Sequence, residues 1–101
     1  MIVKAPDTVT FDIDIKYFVL KEKAASTNEI KQAVALAVEN YILWQSSKMG
    51  RDVNPSYFNA MLMEAGIKRV EIYEPVFTQI PAGSIAIIRE EKVTFGGMED
   101  E

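Results

Sequence analysis

The chain has 101 residues and contains neither cysteine nor histidine. Without cysteine, neither a disulfide scaffold nor a thiolate metal site can form. Without histidine, the commonest general base, the commonest metal ligand and the usual switch near neutral pH are all missing. Basic residues are also few: 11 Lys and Arg stand against 15 Asp and Glu, for a net charge of −4. Phosphate backbones recruit basic surfaces, so the balance argues against nucleic acid as a partner. No apolar run approaches the roughly 18–20 residues of a membrane span. The opening Met1-Ile2-Val3-Lys4-Ala5-Pro6 lacks a signal-peptide layout, which suggests a soluble chain without a visible export signal. Gly96-Gly97 has no helix after it and cannot be a phosphate cradle. Ser46 and Ser47 have no histidine to activate them. The chain is therefore expected to be no enzyme, with no cofactor, no metal, no membrane partner and no small-molecule substrate.

What remains is enough for one ordinary domain: 49% of residues are hydrophobic, and residues 1–101 are read as a single core. Residues 8–20 alternate with period two. Val9, Phe11, Ile13, Ile15, Tyr17 and Val19 fall on one face, and Thr8, Thr10, Asp12, Asp14 and Lys16 on the other. Phe18 and Leu20 interrupt the polar face near its end. Residues 21–25 read as a polar link. Ser26 and Glu29 then have capping-box spacing, with Thr27 as a rival N-cap. A helix follows to about Ser46 or Ser47, with Ile30, Ala33, Val34, Ala37, Tyr41 and Trp44 as its apolar stripe. Leu36 and Leu43 lie nearly opposite that stripe, so either the next helix or a loop covers them, or they form a contact stripe for a partner protein.

The stretch from Trp44 to Ser56 joins this helix to the next. Gly50 can adopt the left-handed conformation that ends a helix. Asn54-Pro55 reads as an N-cap followed by proline at the first helical position. The second helix covers about 55–65 and stops at Gly66, with Tyr57, Phe58, Met61, Leu62 and Ala65 inward. Val53 is placed to staple onto Phe58. Arg51-Asp52 is read either as a local cap and ion-pair cluster or as an intermolecular contact. Trp44 is read as core, with an interface anchor as the alternative. Residues 67–74 give a second strand ended by Pro75. Residues 76–83 form a loop, 84–88 are ambiguous, and 91–95 give a third strand with Val93 and Phe95 inward. Residues 96–101 read as a frayed tail. The order β-α-α-β-β implies an α+β fold, a small three-stranded sheet with two helices packed on one face.

Two chemical patterns compete with a purely structural reading. Asp7, Asp12, Asp14 and Lys16 spell a loose Pro-Asp…Asp-x-Lys pattern of the kind that holds Mg²⁺ in nucleases. Alternating charges are equally what a solvated strand face presents. The two helices around Gly50 suggest a DNA reader, but the second offers Ser56, Tyr57 and Asn59 at its start and no basic residue before Lys68.

The chain resembles the C-terminal domain of the baseplate J-like family, the tail baseplate wedge proteins of contractile-tailed bacteriophages and related particles. The likeness runs through Val3-Lys4-Ala5-Pro6 and Phe11-Asp12-Ile13-Asp14-Ile15. It continues in Trp44-Gln45, Lys48-Met49-Gly50-Arg51-Asp52-Val53-Asn54-Pro55-Ser56 and Gly66-Ile67-Lys68-Arg69-Val70-Glu71. It ends in Pro75-Val76-Phe77-Thr78 and Val93-Thr94-Phe95-Gly96-Gly97-Met98-Glu99-Asp100-Glu101. The resemblance implies a structural assembly module without catalytic residues, forming part of a longer chain. Its expected partners are other baseplate proteins and further copies of itself. Its expected place is the virion tail baseplate, with the bacterial host cytoplasm during assembly. Leu36, Leu43, Arg51 and Asp52 are the candidate protein-interface residues. A generic protein-interaction domain outside phages is the alternative that keeps the same surface.

Overall fold

The longest alternating run becomes the middle of the sheet. In the computed structural model, which describes residues 7–100, strand β1 spans Asp7–Leu20. The sequence readings at residues 1–6 and 101 lie outside the described residues. Helix α1 spans Thr27–Ser46, helix α2 Pro55–Met63, strand β2 Arg69–Glu74 and strand β3 Ser84–Glu99. The sheet order is β2-β1-β3, with β1 antiparallel to β2 and parallel to β3. This is the expected α+β fold with β-α-α-β-β order. Phe11, Ile13, Ile15, Tyr17 and Val19 are buried on the helix side of β1, as their period-two spacing requires. They meet Ile30, Val34, Val38 and Tyr41 of α1, with Phe58 and Leu62 of α2.

Length mismatch shapes the rest of the core. At about 3.3 Å per residue the two long strands run roughly 45–55 Å, whereas a 20-residue helix covers about 30 Å. The connections cover the remainder: Val53 from the α1–α2 turn and Ile80 from the β2–β3 loop are both buried. They are held together by the paired hydrogen bonds between Val53 and Thr78.

Several local expectations change. Residues 21–26 are not a plain polar link but a 3-10 segment kinked at Lys23. Ser26 precedes α1 without a side-chain cap; instead the Thr27 hydroxyl donates to the Ala24 carbonyl at 2.7 Å. The continuing 3-10 backbone already occupies the position from which Ser26 would cap. On α1, Val38 and Gln45 are buried, while Ala33, Ala37 and Trp44 are only half-buried. Tyr57 on α2 is exposed, because α2 lies beside α1 and turns only Phe58 and Leu62 fully inward. The ambiguous segment 84–88 and the supposed tail from Gly96 to Glu99 both belong to β3.

The tail joins β3 through a local irregularity. The register of β3 against β1 shifts between Tyr17 and Val19, at Gly96-Gly97. There the Phe18 ring, on the sheet face away from the helices, fills the space a side chain at Gly96 would need. A Cβ on Gly96 would stand 2.5 Å from Phe18 Cε1. The Arg69 guanidinium covers the same ring from 3.8 Å, which explains why Phe18 is buried on an otherwise open face. Gly96→Val is expected to lower stability by about 1–3 kcal/mol through this overlap. In a Phe18→Ala background the same change should cost much less than additivity requires. Urea denaturation of the four proteins of that cycle measures the coupling.

Candidate functional site

The α1–α2 turn is built around Gln45, whose side chain is fully buried. A primary amide offers two donors and an acceptor, and a buried one must use them. Gln45 Nε2 donates to the Arg51 carbonyl at 2.8 Å and to the Asp52 carbonyl at 3.1 Å. Its Oε1 accepts from the Tyr41 hydroxyl at 2.9 Å. Burial pushes the Tyr41 hydroxyl pKa up to about 12, so it remains a donor throughout the physiological range. Gly50 adopts φ +73, four residues beyond the end of α1, and its N–H donates to the Ser84 carbonyl at 2.8 Å. A side chain at this position would press on the Ala82 backbone at 3.2 Å. Asn54 caps α2 by accepting from the Ser56 N–H at 3.0 Å, with Pro55 at the first helical position.

Arg51 and Asp52 face different partners. The Arg51 guanidinium donates to the Trp44 carbonyl and to Ser47 Oγ (3.1 Å for the latter), closing the C-terminal end of α1. It also lies 4.1 Å from the centre of the Trp44 ring, on which Tyr57 stacks at 4.2 Å. The Asp52 carboxylate accepts from the Ile80 N–H at 2.8 Å and so ties the turn to the loop before β3. The two residues thus have local partners, but they do not pair with each other.

Leu36 and Leu43 are 57% and 66% exposed. Neither α2 nor a loop among the described residues covers them. Leu36 lines a groove of about 220 Å³ between the helices with Ala33, Ala37, Asn40, Met61 and Ala65. Leu43 lies two turns further along the same outer ridge of α1. Exposed leucines two turns apart on one ridge give a partner an apolar strip to cover.

The carboxylates of the nuclease-like pattern are dispersed. Asp7 shares strand parity with Phe11, whereas Asp12 and Asp14 project to the opposite face of β1. Asp12 is held by a two-point ion pair with Arg89, Oδ1 to Nε at 2.9 Å and Oδ2 to Nη2 at 2.6 Å. Those Arg89 bonds lower its pKa. Lys16 lies opposite Glu71 across the β1–β2 pair, and Asp14 opposite Glu74. Among the described residues, no three Asp, Glu, His or Cys side chains converge on a point that could hold a metal ion.

The same open face carries a charge network that sequence spacing does not reveal. Arg69 forks onto Glu99 at 2.8 and 2.9 Å and also reaches Glu71 at 2.8 Å. It therefore links β2 to the end of β3 across β1. The Arg69 hydrogen bonds hold the Glu99 carboxyl at a pKa of about 2. The Glu71 carboxyl is lowered first by the Tyr73 hydroxyl and then by Arg69.

The relationship to known proteins runs through most of the chain. Residues 11–95 match the model of the baseplate J-like protein C-terminal domain, from Phe11 in β1 to Phe95 in β3, the partner of Tyr17. The chain belongs to this family. No curated protein matches the sequence. Baseplate J-like membership supports a structural role in the bacteriophage tail baseplate.

Gln45→Leu is expected to destabilise the chain by about 2–4 kcal/mol, because the Arg51 and Asp52 carbonyls and the Tyr41 hydroxyl lose their buried partner together. Thermal and urea unfolding report the loss. The Glu99 pKa is depressed on folding, so its stabilising contribution is present above the ordinary value of 4.5 and disappears as pH falls towards about 2. Arg69→Met should flatten stability against pH across that window, a change that denaturant titrations at stepped pH would record.

Proposed function

We propose that this chain is an assembly module of a contractile-tail baseplate wedge, making protein–protein contacts through the outer ridge of α1. The observation that carries this reading is the exposed pair Leu36 and Leu43 on a helix whose opposite stripe is buried. In this reading Arg51 and Asp52 support the interface indirectly. Arg51 finishes the last turn of α1 and Asp52 fixes the turn beyond it, so the ridge is presented on a rigid element. Partners are other baseplate proteins or further copies of the chain, met in the host cytoplasm during assembly and retained in the finished tail. No catalytic role is assigned, because the polar side chains of the turn are engaged in holding backbone. A generic interaction domain outside phages would use the same ridge, and gene neighbours encoding sheath and tube proteins would favour the baseplate reading.

The test separates contact from folding. Leu36→Asp with Leu43→Asp in the complete protein should leave unfolding midpoints nearly unchanged, since exposed positions are usually within about ±0.5 kcal/mol. The same variant should sharply reduce the yield of assembled tails in complementation. Normal tail yield from a folded double variant would remove α1 from the interface. Arg51→Ala should instead lower both stability and tail yield together.

A further inference from the structure

The outer edge of β3 is unpaired among the described residues, because β3 ends the β2-β1-β3 sheet. Two register shifts mark it, one near Arg89 and one at Gly96-Gly97. Such irregularities discourage strand pairing where they occur. Between them, residues 90–95 keep an unbroken register against β1. Parallel partners share a sheet face, so Glu91, Val93 and Phe95 lie on the helix side with Ile13, Ile15 and Tyr17. The β1 side chains are buried, yet Val93 is 40% exposed. Helix α1 leaves the outer margin of β3 uncovered, and a groove of about 270 Å³ remains there. Its walls are Lys31, Ala35, Val38 and Glu39 of α1 and Glu91 and Val93 of β3.

Unpaired strand backbone beside an apolar-floored groove is the arrangement used in strand addition, where backbone bonds give affinity and alternate side chains give selectivity. We propose that residues 90–95 accept an extended segment of a neighbouring protein as a fourth strand. The groove's charges define its chemistry. Alternate side chains of the incoming strand meet three levels. At Glu91 and Glu39 the site favours a basic residue. At Val93, with Ala35 and Val38, it favours an aliphatic one. At Phe95 the Lys31 ammonium already covers the ring from 4.4 Å, leaving room for a residue without positive charge. The intervening side chains would lie beside Glu90, Lys92 and Thr94 and are therefore polar. The occupant is an amphipathic strand with a basic residue two positions from an aliphatic one. This surface is separate from the Leu36–Leu43 ridge and does not depend on it.

The probe is a blocked seven-residue peptide with threonine at odd positions and lysine, valine and valine at the even ones, titrated into the isotope-labelled chain. Amide shifts are expected at residues 90–95 and along 31–39, with slowed hydrogen exchange in the strand. A peptide with glutamate in place of the lysine should bind about tenfold more weakly, equivalent to losing one charge-assisted contact. Glu91→Lys, at an exposed position, should reverse that order, and Ala35→Trp should block both peptides by filling the groove. Equal affinities for the two peptides, an unchanged order in Glu91→Lys, shifts located elsewhere, or no shifts at millimolar peptide would each overturn the proposal. Concentration-dependent shifts at 90–95 without peptide would overturn it in favour of pairing between copies.

Discussion

The arrangement depends first on the buried amide of Gln45. A helix end normally leaves carbonyls for water or a cap to satisfy. Here the last turn of α1 instead reaches forward to two carbonyls of the following turn. With its three hydrogen bonds made, the amide costs little to bury; with any of them missing it would be among the costliest groups in the core. Because Gln45 grips the backbone at Arg51 and Asp52, the path from 47 to 54 has little freedom. That path delivers Gly50 to Ser84, Asp52 to Ile80 and Val53 to Thr78. Thus one side chain on α1 sets where α2 starts and where the chain enters β3.

The second constraint is the unequal length of strands and helices. A parallel pair as long as β1 and β3 needs cover along its whole inner face, and one helix supplies only part of it. Loop residues such as Val53 and Ile80 complete the cover at one end. Along the outer margin of β3 the cover stops short, and the groove beside Val93 is the consequence. On the other side, β2 has only six residues, and Arg69 compensates by reaching over Phe18 to Glu99. The same mismatch accounts for a core that is closed in the middle and a surface left open at its edge.

Much of this was legible in residue order. Period-two alternation identified the buried face of β1, and Asn54-Pro55 located the start of α2, because both signals are local. The off-stripe position of Leu36 and Leu43 followed from helical geometry, although only the packed structure shows that nothing among the described residues covers them. Residues fixed by distant partners were not legible. Gly96-Gly97 looked like the start of a tail because glycine weakens a strand considered alone. The pairing that keeps it in β3 comes from Val19 and Leu20, far away in sequence. The burial of Gln45 was not legible either, because its amide donates to backbone carbonyls, which carry no sequence signature. Val38 stands four residues after Val34 and three before Tyr41, so helical spacing does place it on the buried face. The exposure of Tyr57 depends instead on the angle between α1 and α2, which spacing along one helix does not contain.

The polar groups with shifted ionisation are engaged in structural bonds. Catalytic residues are recognised by shifted ionisation within a cleft where a reacting molecule can meet them. The shifted carboxylates here, Asp12, Glu71 and Glu99, owe their shifts to bonds from Arg89, Tyr73 and Arg69 on an open sheet face. The interactions that perturb these groups also occupy them, so the shifts measure structural bonding rather than readiness to react. What the surface leaves unsatisfied is of another kind: two leucines on a helix ridge, and a strand edge beside an apolar groove. In the two proposals made above, each is covered by another polypeptide. Family membership supports a structural role in the tail baseplate, and the polar groups described here are engaged in holding the fold itself.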